Sequence, residues 1–297
     1  MPRTPTGPET PLTNTPIALL TVSLALLAGA CGSDADQASE GPTVSATTGI
    51  LADITERVAG DDAGVEQVIP EGSSPHDFQL SAADRAAIED SILLVHNGTG
   101  LEQGIPVERI ETAQFALTDH AGELLSGDPH VWMDPTRIAR ALPALADALA
   151  EADPEHAGGY RERAGEYAAE LSALDRELAA TLRAVPRRNR ELVTSHDALG
   201  YFAARYGFEV VATTFPASGV EAETSAARIR EVEDVVRQTG VPTVFAEHED
   251  DPEVLELVAE DTGVQVSDEL LVESPGSAGS YVAMLRHDAA LIAEGLD

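Results

Sequence analysis

The chain has 297 residues, too many for one ordinary core and enough for two lobes of usual domain size. Its 43% hydrophobic content argues against wholesale disorder, and an aromatic content of 4% leaves the core to Ala, Val, Leu and Ile. The formal net charge is -34 and all 18 basic residues are Arg, which excludes a basic nucleic-acid footprint and leaves a field that attracts cations without selecting among them.

The N-terminus reads as an address. Residues Ile17 to Ala30 form an apolar run of signal-sequence length, short for a membrane span. Ala28-Gly29-Ala30 lead directly into Cys31, the sole cysteine, so no internal disulfide forms. This arrangement resembles a bacterial lipobox, in which the cysteine is diacylated and becomes the mature N-terminus. It departs from the usual pattern by carrying Ala28 three residues before the cysteine, with Leu27 one step earlier, and by having only Arg3 as a positive charge ahead of the run. Residues 1–31 are therefore expected to be a signal peptide with lipobox, and the polar stretch 32–42 a flexible tether. The expected location is the extracytoplasmic face of the cell membrane, anchored through lipidated Cys31.

From Thr43 onward, strand and helix signals alternate. Thr43 to Thr47 and Val65 to Ile69 are short β-branched runs, and Ile50 to Val58 has helical spacing. Ser81 can cap a helix from Ala82 to Glu89, with Asp84 at the capping-box position. Ile92 to Val95 reads as a buried strand ending at the turn signal Asn97-Gly98. Asp134-Pro135 pairs an N-cap with a proline at the first helical turn, opening a helix to about Glu151, which Asp153-Pro154 breaks. A second helical tract, Glu155 to Ala184, has no strand signal. Beyond it the alternation resumes: strands at 191–194, 208–213, 244–247 and 264–266, and helices at 198–206, 225–239, 252–262 and 281–295. This pattern predicts an α/β fold of two βα lobes with central, mostly parallel sheets, joined by one long helix. The expected division is an N-terminal lobe 43–153, a linking helix 154–185 and a C-terminal lobe 186–297, with a ligand site in the crevice between lobes.

Three histidines fall where strands should give way to loops: His76 in Ser-Ser-Pro-His-Asp-Phe, His130 in Asp-Pro-His-Val-Trp-Met-Asp-Pro, and His196 in Thr-Ser-His-Asp. Pro75 and Pro129 fix the backbone just before two of them. Imidazole suits Zn2+, and three neutral rings leave the dication uncompensated, so a carboxylate is expected as fourth ligand. The spacing is unlike any compact zinc signature and carries no weight alone. Trp132 is expected to pack beneath the His130 loop. Glu247 ends a strand facing the crevice, which suits a group that orients a ligating histidine. His120, His156 and His287 read as surface or structural residues, and the acids after His248 as a solvated loop.

The local sequences resemble the metal-specific solute-binding proteins of ABC transporters, in their zinc-type, ZnuA-like branch. The resemblance spans about Thr43 to Leu296 and rests on three segments: PHDFQLSAAD from Pro75, DPHVWMDP from Asp128, which is the most specific, and TSHDALGYFAARYG from Thr194. It implies two βα lobes bridged by a rigid helix and a closed site of four protein ligands with small lobe motion. It also implies Zn2+ rather than Mn2+, because the third position holds His196 where manganese and iron binders tend to carry Glu. For the fourth ligand the family uses an acid in a loop after the last strand, which Glu273 matches within Glu-Leu-Leu-Val-Glu-Ser, with Asp268 as the competitor. The long His-rich loop common in the family is absent here. The implied partners are an ABC permease with its ATPase and, where one exists, a metallochaperone; a monomer without enzymatic activity is expected. Two other functions compete. A zinc hydrolase would need an open three-His site with Glu247 as base, and a surface adhesin or zinc buffer would use the same fold.

Overall fold

The computed structural model describes residues 41–125, 127–215, 225–248 and 252–297; Cys31 and nearly all of the 32–42 stretch lie outside the described residues. Strand β1 (Thr43–Ala46) is followed by α1 (Gly49–Ala59), β2 (Gly64–Gln67), α2 (Ala82–Asp90), β3 (Leu93–His96) and β4 (Gln114–Ala116). The four strands pair in parallel in the order β2-β1-β3-β4. Thr48 caps α1 by accepting from the Leu51 amide. Both halves of the Ser81–Asp84 capping box form at α2. Sequence patterning passes over β4, whose three residues are too few to show an alternation.

Helix α3 (Pro135–Ala152) starts at Asp134, whose carboxylate accepts from the Thr136 amide. A 3-10 turn over Pro154–His156 then leads into α4 (Ala157–Leu182), 26 residues and so about 39 Å long. Its buried positions Tyr160, Ala164, Tyr167, Leu171, Leu174, Leu178 and Leu182 recur at three- and four-residue steps, giving one apolar stripe that packs on α1, α3 and α8. Arginines from the neighbouring helices reach its acids: Arg57 to Glu170, Arg205 to Asp175 at 2.5 Å, and Arg286 to Glu177 at 2.9 Å.

The second sheet takes β5 (Glu191–His196), β6 (Glu209–Phe215), β7 (Thr243–Glu247) and β8 (Gln265–Leu270), all parallel, in the order β6-β5-β7-β8. Helices α5 (Gly200–Tyr206), α6 (Ala226–Thr239), α7 (Glu253–Thr262) and α8 (Tyr281–Gly295) alternate with them. Strand β8 runs four residues past the expected end at Val266. Asp268 therefore lies within the strand, exposed, and Glu273 falls in the loop that follows.

Strand residues alternate between cores as pleating requires. Leu93 and Val95 face the main apolar cluster, while Leu94 joins Ile69, Ile88, Ile105 and Ile110 on the other face. Leu192 and Phe245 likewise face the main cluster, while Val193, Val244 and Ala246 pack with α6 and α7. The main cluster is continuous from Val44 in the first sheet through Leu145 and Leu171 to Phe202, Met284 and Ile292. Both sheets thus share one core built around α3, α4 and α8, and a wide hinge motion would have to break it open.

Candidate metal centre

Strand ends and loops bring four side chains together. His76 lies between β2 and α2, His130 just before α3, His196 at the end of β5 and Glu273 between β8 and α8. The ring centroids are 5.6 Å apart for His76 and His130, 5.4 Å for His76 and His196, and 4.9 Å for His130 and His196. His76 Nε2 is 3.3 Å from Glu273 Oε1. Each of the four residues offers one ligand atom, and these atoms lie within 4.8 Å of one another. Around a tetrahedral zinc with bonds near 2.0 Å the corresponding separation is about 3.3 Å, so modest side-chain rotation closes a shell.

Two rings are oriented from behind by acids. Asp128 Oδ1 accepts from the His130 amide at 2.9 Å and lies 2.8 Å from its Nδ1. Glu247 Oε1 lies 3.2 Å from His196 Nδ1. A carboxylate at Nδ1 holds the proton there and turns Nε2 toward the cluster. His130 Nε2 is buried with no hydrogen-bond partner among the described residues, as a nitrogen reserved for a cation would be. Burial pushes the His76 pKa down to about 3, helped by the neighbouring His130 and His196 rings. Burial also lowers that of His130, outweighing its bond to Asp128. These two rings are consequently neutral at neutral pH, the form that ligates metal. Three nitrogens and one carboxylate oxygen make a four-coordinate donor set for a divalent cation, with the Asp128 and Glu247 carboxylates balancing charge behind it.

The loops are pinned by hydrogen bonds from several elements. Asn97 Nδ2 donates to the Pro129 carbonyl at 3.0 Å. Tyr201 of α5 accepts from the Leu125 amide at 2.9 Å and donates to the Asp128 carbonyl at 3.1 Å. Fully buried Asp288 of α8 accepts from the Leu271 amide at 3.0 Å, fixing the start of the Glu273 loop. Two glycines permit close approach. A Cβ on Gly104 would lie 1.9 Å from the Phe78 carbonyl in the His76 loop, and one on Gly200 would lie 2.4 Å from Asp128 Oδ2.

The remaining sequence candidates lie elsewhere. Exposed His120 stacks on Phe115 at 5.0 Å, His156 bonds Asp153 at 2.6 Å, and His287 contacts the Glu269 carbonyl at 2.8 Å. Residues 249–251 of the acidic run are outside the described residues. Glu247, considered as a hydrolytic base, instead stands at the outer nitrogen of His196, and Glu273 lies inside the cluster. Asp128 and Asp288 escape sequence reading in these roles. An acid two residues before a histidine is a usable signal for the first, whereas the second is visible only through helix packing. Buried His96, at the end of β3, lies outside the cluster.

Comparison with known proteins matches residues 44–295 to the family described as zinc-uptake complex component A, periplasmic. The manganese-binding lipoprotein MntA of Halalkalibacterium halodurans is 28% identical over 288 residues, covering 92% of this chain and 95% of that protein. The iron-binding protein YfeA of Yersinia pestis is 30% identical over 267 residues, covering 85% of each. Among solved structures, the periplasmic zinc-binding protein TroA of Treponema pallidum superposes with a TM-score of 0.80 at 26% identity, covering 86% of this chain and 99% of that one. These relatives are named as metal-binding proteins, others as manganese ABC transporter substrate-binding lipoproteins such as PsaA of Streptococcus pneumoniae, and the names divide among manganese, iron and zinc.

Proposed function

The chain belongs to the zinc-uptake complex component A family, and on that footing we propose that it captures Zn2+ through His76, His130, His196 and Glu273 and delivers it to an ABC importer. It is a metal-binding substrate-binding protein of an ABC transporter, and such a component works with a permease and an ATPase. The observation that carries the zinc reading is the convergence of three buried imidazoles and one carboxylate in a single cluster. Three nitrogen donors suit zinc, whereas manganese is better served by oxygen. A closed four-ligand set suits holding a cargo rather than activating water. The lipoprotein names of relatives such as MntA support anchoring outside the cytoplasm, here through Cys31. We place the functional division at a leader to residue 31, a tether 32–42, metal-binding lobes 43–153 and 186–297, and a link 154–185.

Affinity alone does not decide the metal, because nitrogen and oxygen sites bind zinc more tightly than manganese whatever their use. The deciding measurement is elemental analysis of the protein isolated from its native membrane after growth with both metals. One equivalent of zinc is expected; manganese or iron there would overturn the zinc assignment and leave capture intact. His196→Ala should weaken zinc binding by orders of magnitude, and unchanged affinity would remove His196 from the ligand set.

A further inference from the structure

The loop that carries Glu273 joins β8 to α8, yet it is also tied to the other half of the chain. Trp132, two residues after His130, donates from Nε1 to the Val272 carbonyl at 2.8 Å. The Trp132 carbonyl in turn accepts from the Tyr281 hydroxyl at 2.5 Å. One residue thereby grips both ends of the segment 272–281. The amide of Tyr281 also donates to Asp53 of α1 at 3.0 Å. The indole meets the His130 ring edge-on, with centroids 5.2 Å apart and planes at 75°. Trp132 is 3% exposed and Tyr281 is fully buried, so both bonds lie where water cannot replace them.

We propose that Trp132 is a positioning residue that couples two metal ligands: it locks the Glu273 loop to the His130 loop, so that imidazole and carboxylate meet the cation as one preformed unit. This rests on the reading of Glu273 as a ligand. Val272 is bonded neighbour to Glu273, so moving its carbonyl moves the carboxylate. Because the indole also touches the His130 ring, displacement on one side is transmitted to the other. His196, at the end of β5, stands outside this unit and supplies its nitrogen from the second sheet.

A double-mutant cycle with Zn2+ as the probe tests the coupling, using chelator competition on the full chain. Trp132→Phe keeps a ring against His130 and removes the donor to Val272. Zinc affinity should fall roughly tenfold, the range for groups that orient ligands. In a Glu273→Ala background the same substitution should change affinity by less than about twofold, since the coupled partner is gone. Losses that simply add would show that the indole serves only packing, and would overturn the proposal. A Glu273→Ala variant that binds zinc as well as the parent would instead remove the ligand reading on which the proposal stands. Tyr281→Phe, which deletes one hydroxyl and keeps the volume, provides the second arm. It should lower zinc affinity in the parent and not in Glu273→Ala, and it should alter the zinc-induced change in emission of Trp132, the only tryptophan. Should Trp132→Phe fail to fold, an unchanged affinity and emission response in Tyr281→Phe would refute the coupling by itself.

Discussion

Replacing Asp128 separates two contributions to His130, a charge and an orientation. One carboxylate oxygen receives the His130 amide at 2.9 Å and faces its ring nitrogen at 2.8 Å, and His130 is wholly buried. A hydrogen bond to a charged group contributes about 1.5–3 kcal/mol, which at ~1.4 kcal/mol per decade corresponds to roughly ten- to a hundredfold in affinity. Outer partners of ligating histidines fall in the same range of about 10–100-fold. Asp128→Asn keeps an acceptor and loses the charge, so about half the effect should remain, a drop of roughly three- to tenfold in zinc affinity. Asp128→Ala loses both and should approach a hundredfold, the upper end of about 10–100-fold. Gly200→Ala gives a third arm, because its Cβ would sit 2.4 Å from Asp128 Oδ2 and displace the carboxylate without altering its charge. Chelator-competition titrations should rank the parent first, Asp128→Asn and Gly200→Ala next, and Asp128→Ala last. Zinc binding in Asp128→Ala equal to the parent's would refute the argument that this carboxylate prepares His130.

Glu273→Ala and Asp268→Ala should differ sharply by zinc titration, with a large loss at Glu273 and almost none at exposed Asp268; equal small losses would point to three imidazoles plus water. The metal-free protein should lose stability in acid. The folded His76 pKa is lowered to about 3 from its usual 6.5, so between those values the unfolded chain binds a proton the folded one does not. Stability from this group is complete above about pH 6.5 and is lost toward pH 3, at up to about 1.4 kcal/mol per pH unit, with His130 acting in the same direction. Denaturant melts from pH 7.5 to 5 should show this slope, shallower in His76→Gln; identical slopes would contradict it. Gly104→Ala should lower the melting temperature, because its Cβ would overlap the Phe78 carbonyl at 1.9 Å, at a cost of about 1–3 kcal/mol; an unchanged melt would show that the His76 loop gives way freely.

Local chemistry made much of the fold legible. The Ser81 capping box, the Asp134-Pro135 start of α3 and the unbroken Ala-, Glu-, Leu- and Arg-rich tract of α4 each follow from short-range rules, and the structure places elements where those rules do. Short strands were less legible: β4 has three residues, and β8 extends through Asp268 and Glu269, which sequence patterning assigns to a loop. Its length is set by pairing with β7, a long-range partner that local propensity does not contain. The histidines stood out through their Pro-His and Ser-His settings. The groups that aim them did not, because Asp128, Asp288 and Tyr201 acquire their roles only when distant segments meet. Glu247, which sequence reading offers both as an orienting group and as a hydrolytic base, ends β7 with its carboxylate 3.2 Å from His196 Nδ1.

Within each sheet every strand runs the same way, so each one releases its chain at a single rim. Imidazoles and carboxylates gather at those exits, whereas the apolar packing lies along the strands behind them. Exchanging a donor at an exit therefore leaves the apolar core behind it in place. Relatives named for manganese, iron and zinc fit a scaffold in which the choice of ion is a property of a few loop tips.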